Sequence, residues 1–369
     1  MGRTRWLRRD PEVEARLWDD WRWQWENRIT TAGALTERLD LTDGEAEGLR
    51  LGGRTPFALT PYYFSLIRPD DPHDPIRRQC LPTRAEWTGE GHCVDDPLDE
   101  DAEMPVDGIV HRYPDRCLFL VSDRCPVYCR HCTRRRLWER RGHRSIDELG
   151  PLLDYVRQTP EIRDVLVSGG DPLCLPLPAL RRCLEELRAM SHVSILRIGS
   201  RVPVVLPQRI TPDLLEVLAG AFPLWIHTHF NHPRELTPEA AEACGRLLRT
   251  GVQMGNQAVL LKGINDDPET QIALSRGLLS MGVRPYYLFH CDPVRGAAHF
   301  RTPVARGIEI LESLRGRIGG MGMPHYAVDT GAEGKVILAP QALLERDGDV
   351  LLLRNHAGRT IRYPDGGRD

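Results

Sequence analysis

A chain of 369 residues has room for two or three domains of roughly 150 residues, or for one large barrel with additions at its ends. With 41% hydrophobic and 27% charged residues it has the composition of a soluble globular protein, and no apolar run approaches the ~18 residues a transmembrane helix needs. A formal net charge of -3 gives no electrostatic reason to bind nucleic acid, although Arg134, Arg135 and Arg136 form a local basic run. The N-terminal stretch lacks the apolar segment of a signal peptide, so the expected location is the cytoplasm, with no membrane partner. In that reducing compartment the ten cysteines are expected as thiols or metal ligands. Arginine carries nearly all the positive charge: Lys262 and Lys335 are the only lysines, hence the only side-chain amines able to condense with an aldehyde.

In chain order, Leu17, Trp21, Trp25 and Ile29 recur every four residues and predict one amphipathic helix from Pro11 to about Thr31, with the stripe read as packing. Between Thr55 and Pro105, clusters such as PDDPHDP and DDPLDEDAEMP predict turns over a core. Residues 1–105 read as an N-terminal helical extension. From there, apolar runs at 117–122, 164–170, 194–200, 224–230, 254–261 and 284–290 alternate with helical stretches such as 178–190 and 212–222. Six strands alternating with helices predict βαβ units, a parallel sheet and chemistry at the carboxyl ends of the strands. The expected barrel spans 106–301. Residues 302–369 are read as a C-terminal α+β segment with a helix, a Gly-rich loop around Lys335, and short strands at KVILAP, DVLLLRN and RTIRYP.

Cys125, Cys129 and Cys132 have the spacing CxxxCxxC directly after the first run of this series. Three thiolates can hold three irons of a cubane and leave the fourth open to a chelating ligand. A zinc site is the competing reading, but no second Cys pair at zinc-finger spacing accompanies the triplet. Gly169 and Gly170 allow a close backbone approach after the second run, a pattern shared by ordinary strand-to-helix turns. Arg112, Tyr113 and Arg116 offer two guanidinium forks and a phenol suited to a phosphate dianion, or a charged surface turn.

The blocks CPVYCRHCTRRR, SGGD, RIGSRVPVVLPQRIT, THFNHP, GNQAVLLKGIND, VRPYYLF and NHAGRTIRYP resemble the lysine 2,3-aminomutase family of the radical S-adenosylmethionine superfamily, and similar blocks run through most of the chain. The resemblance implies an α/β partial (β/α)6 TIM-like barrel with three cofactors: a [4Fe–4S] cluster on Cys125, Cys129 and Cys132, S-adenosylmethionine on the open iron, and pyridoxal 5′-phosphate. It implies an isomerase in which a 5′-deoxyadenosyl radical takes hydrogen from the β-carbon of a basic amino acid, L-lysine, whose amino group then migrates to give L-β-lysine. Ser168, Gly169, Gly170 and Asp171 are implied to meet the methionyl amino group, and Tyr128, His131, His229 and Gln257 to be further cofactor contacts. Arg112, Tyr113 and Arg116 are implied for the pyridoxal phosphate, and Lys335 as its covalent anchor. Arg134 is implied for the substrate carboxylate, and Asp292 with Asp329 for its distal ammonium. An external electron donor of flavodoxin or ferredoxin type and a homo-oligomer are expected.

Three departures stand out. The loop before Lys335 has Ala332 and Glu333 where the family commonly has glycines and is one residue shorter. The sequence ends with RTIRYPDGGRD where longer family members continue into a tail, so no structural zinc is expected. Val294, Arg295, Ala297 and Ala298 beside Asp292 differ from the usual lysine enzyme, which keeps arginine 2,3-aminomutation open as a rival. Two further rivals are a relative that modifies a protein lysyl group and a non-enzymatic iron–sulfur sensor.

Overall fold

The computed structural model describes residues 16–52, 56–88, 92–138, 142–347 and 350–364. Its centre is a nine-stranded sheet in sequence order: β1 (Ile109–Tyr113), β2 (Arg116–Ser122), β3 (Asp164–Gly169), β4 (Ile195–Gly199), β5 (Leu224–Thr228), β6 (Gln253–Leu260), β7 (Arg284–His290), β8 (His325–Asp329) and β9 (Lys335–Leu338). Strands β2 to β8 are parallel, while β1 and β9 run antiparallel along the two edges. The six predicted strands are β2 to β7, and β8 is a seventh parallel strand that follows a Gly-rich stretch lacking an apolar run. Strands β10 (Leu343–Asp347), β11 (Val350–Arg354) and β12 (Thr360–Pro364) form a separate antiparallel sheet.

Helices cover the parallel strands for a reason visible in their sequences. In Leu177–Ala189, Leu180, Cys183, Leu184 and Leu187 recur at three- and four-residue spacing and are buried, while Pro178 suits the first turn. They share one continuous apolar cluster with Val165 and Val167 of β3, Leu196 and Ile198 of β4, and Leu224 and Ile226 of β5. Each such side chain contributes about 1.5–3 kcal/mol of burial, which is why the sheet can end in a rim of polar groups.

The N-terminal region differs from its predicted single helix. Asp20 accepts a hydrogen bond from Arg22 N at 2.8 Å and starts a new helix, Trp21–Glu26, that ends at Asn27. Ile29 then leaves the helix and pairs its backbone with Leu59. Trp18, Gln24 and Ile29 are the buried positions, whereas Leu17, Trp21 and Trp25 are half-buried; Pro11 to Ala15 lie outside the described residues.

This region is locked to the segment after β2 by charge. Arg130 donates from Nε and Nη2 to Glu86 Oε1 and Oε2 at 2.8 and 2.6 Å, and Arg135 Nη2 adds a third bond at 2.6 Å. Arg130 and Glu86 are completely buried. Burial alone would raise the Glu86 carboxyl, but the two guanidiniums outweigh it and hold it below its ordinary value. Replacing Arg130 by Met is predicted to cost about 3–5 kcal/mol, because it strips the bidentate partner from a buried carboxylate. The denaturation midpoint checks this, and a loss under about 1 kcal/mol would contradict it.

Candidate functional site

Cys125, Cys129 and Cys132 lie on the loop that leaves the carboxyl end of β2. The loop is pinned from several sides: Arg28 Nη1 donates to the Cys125 carbonyl at 2.9 Å, Arg130 N to the Gln79 carbonyl at 2.8 Å, and Cys132 N to the Cys129 carbonyl at 3.0 Å. Behind it, Tyr128 is buried against Trp138, with ring centroids 5.0 Å apart, and Cys125 and Cys132 pack on the same small cluster. Burial pushes the Cys125 thiol well above its ordinary range, and Asp171, Cys132 and Cys129 add to the effect. Burial and Cys129 likewise raise Cys132.

The Gly169–Gly170 turn lets the end of β3 lie directly on this loop. Gly170 N donates to the Ser122 carbonyl at 2.5 Å and Asp171 N to the Arg124 carbonyl at 2.9 Å. A Cβ on Gly170 would fall 2.6 Å from Arg124 N, and one on Gly169, whose φ is +122°, would press on the Ser122 carbonyl. Asp171 is turned inward. Its oxygens accept from Ser200 Oγ at 2.7 Å, Leu173 N at 3.2 Å, Arg201 N at 2.8 Å and Val202 N at 3.1 Å, which fills a carboxylate's capacity. Burial nevertheless lifts its pKa to about 6.

Arg201, beyond the end of β4, is a hub to which residue order alone assigns no role. Its Nη1 reaches Cys129 Sγ at 2.6 Å, and its Nη2 donates to Glu235 Oε1 and Gln79 Oε1, both at 2.7 Å. The adjacent His131 and His229 rings stack at 5.5 Å with 13° between planes, and their Nε2 atoms are 3.3 Å apart. Burial, His229 and Arg201 lower His131 well below its ordinary value; burial and Arg201 take His229 to about 3. Both rings stay neutral, and His131 Nδ1 is buried without a partner among the described residues. Ser168 is buried in β3, while Gln257 is half-buried in β6.

The second cluster is at the seam between the two sheet edges. Lys335 N on β9 donates to Tyr113 Oη on β1 at 3.1 Å, and Arg112 Nη1 pairs with Asp329 Oδ1 at 3.5 Å. The Arg116 guanidinium stacks 3.8 Å from the Tyr113 ring. A Cβ on Gly334, whose φ is +83°, would sit 2.7 Å from Tyr113 Oη, so glycine is required where the loop meets the phenol. Lys335 Nζ lies 5.3 Å from the Phe289 ring centre, accessible to solvent yet recessed among protein atoms. That recess lowers its pKa; Asp329 opposes the shift, and Arg197, Arg134 and Arg116 support it.

Asp292, just after β7, feels Asp329: burial and that neighbour lift its carboxyl to about 7, while Lys335, Arg301 and Arg134 pull it back. Arg134 is held by Glu100, a buried carboxylate, through Nε at 2.9 and 3.1 Å and Nη2 at 2.6 Å. Arg295 turns outward to Asp95 at 2.8 Å, and Val294 packs in a small apolar cluster with Leu261, Cys291 and Phe300, so the altered sequence beside Asp292 does not bring Arg295 into this recess. Lys262 is exposed on a separate turn.

The profile of the Radical SAM superfamily matches residues 119–273, which begin on β2 and end in the helix that follows β6. Over nearly the whole chain the similarity is narrower. A putative L-lysine 2,3-aminomutase of Aquifex aeolicus is 47% identical, covering 95% of this chain and 96% of the relative. An L-lysine 2,3-aminomutase of Clostridium subterminale is 46% identical over 94% of this chain and 84% of its own length. A glutamate 2,3-aminomutase of Clostridioides difficile is 42% identical over 94% and 83%. The chain belongs to the lysine 2,3-aminomutase family, a family of isomerases within the radical SAM superfamily.

Superfamily membership implies a [4Fe–4S] cluster and S-adenosylmethionine. The residues fit: Cys125, Cys129 and Cys132 are free thiols on one loop at the carboxyl end of β2, and His131 Nδ1 on the same loop is a buried polar atom without a partner among the described residues. Among the described residues no three His, Cys, Asp or Glu side chains converge on a single-ion site; a cubane takes its thiolates at separate corners and asks for a wider spread. No helix of the described residues is long and apolar enough to cross a membrane.

Gly170→Ala is predicted to cost about 1–3 kcal/mol by overpacking backbone on backbone and to lower iron uptake on reconstitution. Gly150→Ala, with nothing within 4 Å of the added carbon, is the matched control. Equal stability and iron content for the two variants would contradict the close-approach argument.

Proposed function

We propose that this family member converts L-lysine to L-β-lysine, with pyridoxal phosphate as the third cofactor. The observation that carries the reading is the pair Asp292 and Asp329 at the strand ends, where burial and Asp329 raise the Asp292 carboxyl and both carboxylates act electrostatically with Lys335. Asp329 already has Arg112, and ionising the half-buried Asp292 beside it is costly, so the pair favours a ligand with a distal ammonium and disfavours a glutamate side chain. That preference supports lysine over the substrate named for the Clostridioides difficile relative.

When bound, the cluster and S-adenosylmethionine supply a radical able to abstract hydrogen, and pyridoxal phosphate supplies a conjugated system that tolerates migration of nitrogen. The protein's part is position. Cys125, Cys129 and Cys132 hold the cluster, with Tyr128 bracing their loop from behind. Because Asp171 is saturated by internal donors, it shapes the turn, and Ser168, Gly169 and Gly170 present backbone to the methionyl end. His131, His229 and Gln257 line the nucleoside side. Arg112, Tyr113 and Arg116 hold the phosphate, for which the orphaned, buried Arg112 Nε is a ready donor. Lys335 anchors the aldehyde, helped by a lowered pKa that leaves more free amine. Arg134 meets the substrate carboxylate, while Asp292 and Asp329 meet the ammonium.

Borohydride reduction in the presence of pyridoxal phosphate should label Lys335 and not Lys262, as read by peptide mapping; label on Lys262 would overturn the anchor. Asp292→Asn should weaken lysine use by on the order of 2–5 kcal/mol in transition-state binding, with cleavage of S-adenosylmethionine in the absence of substrate nearly unchanged.

The pH dependence has a definite sign. Burial raises the Asp292 carboxyl to about 7, so its ionisation opposes folding increasingly as pH rises from its ordinary value to about 7, and cationic substrate relieves that cost. Below pH 7 the carboxyl is protonated and lysine binding must expel the proton. KM for lysine should therefore rise by up to about tenfold per unit as pH falls below 7, level off above it, and lose this dependence in Asp292→Asn. A flat wild-type profile from pH 6 to 8 would contradict the assignment.

A further inference from the structure

The segment 93–103 is stitched across three elements of the site. Val94 N donates to the Pro293 carbonyl at 2.9 Å, and Arg295 N to the Val94 carbonyl at 2.8 Å, just after Asp292. The Leu98 carbonyl accepts from Arg112 Nη2 at the sheet seam. Asp96 and Asp101 each take Arg136 Nη2 at 2.9 Å beyond the cysteine loop. Between these anchors Glu100, only 2% exposed, grips Arg134.

The grip solves an electrostatic problem specific to this pocket. The segment that carries Glu100 is hydrogen-bonded through Val94 to Pro293 and Arg295, immediately after Asp292, and the positive charge of Arg134 is felt at Asp292, so the guanidinium and that carboxyl belong to one neighbourhood. An Arg side chain released there would pair with Asp292, which is half-buried and has no ion-pair partner of its own among the described residues, whereas Asp329 already has Arg112. Such a pair would join the two ends of the substrate site to each other.

We propose that Glu100 is a specificity-determining positioning residue: it holds Arg134 away from Asp292, so that the group meeting the substrate carboxylate and the carboxylate meeting its ammonium stay apart. The Glu100 bonds occupy Nε and Nη2 and leave the Nη1 corner of Arg134 for the ligand. The inference rests on the lysine reading above and adds a residue outside the cysteine loop and the strand ends.

The test is equilibrium binding to holoenzyme without S-adenosylmethionine, read from the amino-acid-dependent change in the absorbance of bound pyridoxal phosphate. L-lysine and L-norleucine, which lacks the distal ammonium, are the probes. Glu100→Gln should weaken L-lysine at least tenfold and reduce the preference for lysine over norleucine. Glu100→Asp, which retains the charge, should recover most of both. In the double variant Glu100→Gln/Asp292→Asn, the loss should be no larger than for Asp292→Asn alone, because the harmful Arg134–Asp292 pair needs both partners. Unchanged lysine binding in Glu100→Gln, additive losses in the double variant, or an Asp variant as weak as Gln would overturn the role of Glu100. Absence of a lysine response in the wild type would instead overturn the substrate reading, and this inference with it.

Discussion

Side chains, not backbone ladders, join the two free edges of the large sheet. Strands β1 and β9 lie at opposite ends of the strand order, yet Tyr113 meets the Lys335 amide and Arg112 meets Asp329. The residues that bridge the seam are the same ones that build the proposed pyridoxal and ammonium sites, so closing the fold and forming the pocket are one event. This explains the demand for glycine at position 334, where any Cβ would push the edges apart at Tyr113. It also explains how Lys335 can be reachable from solvent and still feel several charges: it sits in an opening between strand edges, not in the packed interior.

The rest of the site depends on charge buried in matched sets. Arg201 is surrounded by Glu235, Gln79, Tyr63 and Cys129, and Arg130 by Glu86 and the Pro56 carbonyl. Burial of this kind adds little net stability compared with apolar packing, but removing one partner is expensive. A loop carrying three cysteines near a substrate pocket benefits from that asymmetry, since any different placement of the loop would leave a charge unpaired. The imbalance at Asp292 is the exception, and it falls where a ligand is expected to supply the missing charge.

Much of this was legible from residue order. Apolar runs of strand length alternating with helical periodicity predict β2 to β7, because parallel strands covered on both faces need such runs. CxxxCxxC and the paired glycines were legible because their chemistry is local. Strand β8 was not, since His325–Asp329 is short and follows glycines; nor was β1, which ends in the charged HRY. The break at Asp20 was hidden by a four-residue spacing that continues through it. Glu100 and Arg201 carry no local signal at all: each acquires its role from partners 34 and 72 residues away in Arg134 and Cys129. The inward orientation of Asp171 is likewise a property of the folded β4 turn and not of the SGGD motif.

The central claim is that the Asp292–Asp329 pair selects an amino acid with a cationic side chain of lysine's length. Specificity constants for L-lysine, L-arginine and L-glutamate, measured side by side under anaerobic conditions with a reductant and S-adenosylmethionine, address it directly. The account predicts L-β-lysine as the dominant product, with arginine weaker and glutamate weakest. A clear preference for arginine or glutamate, or turnover of none of the three, would contradict it.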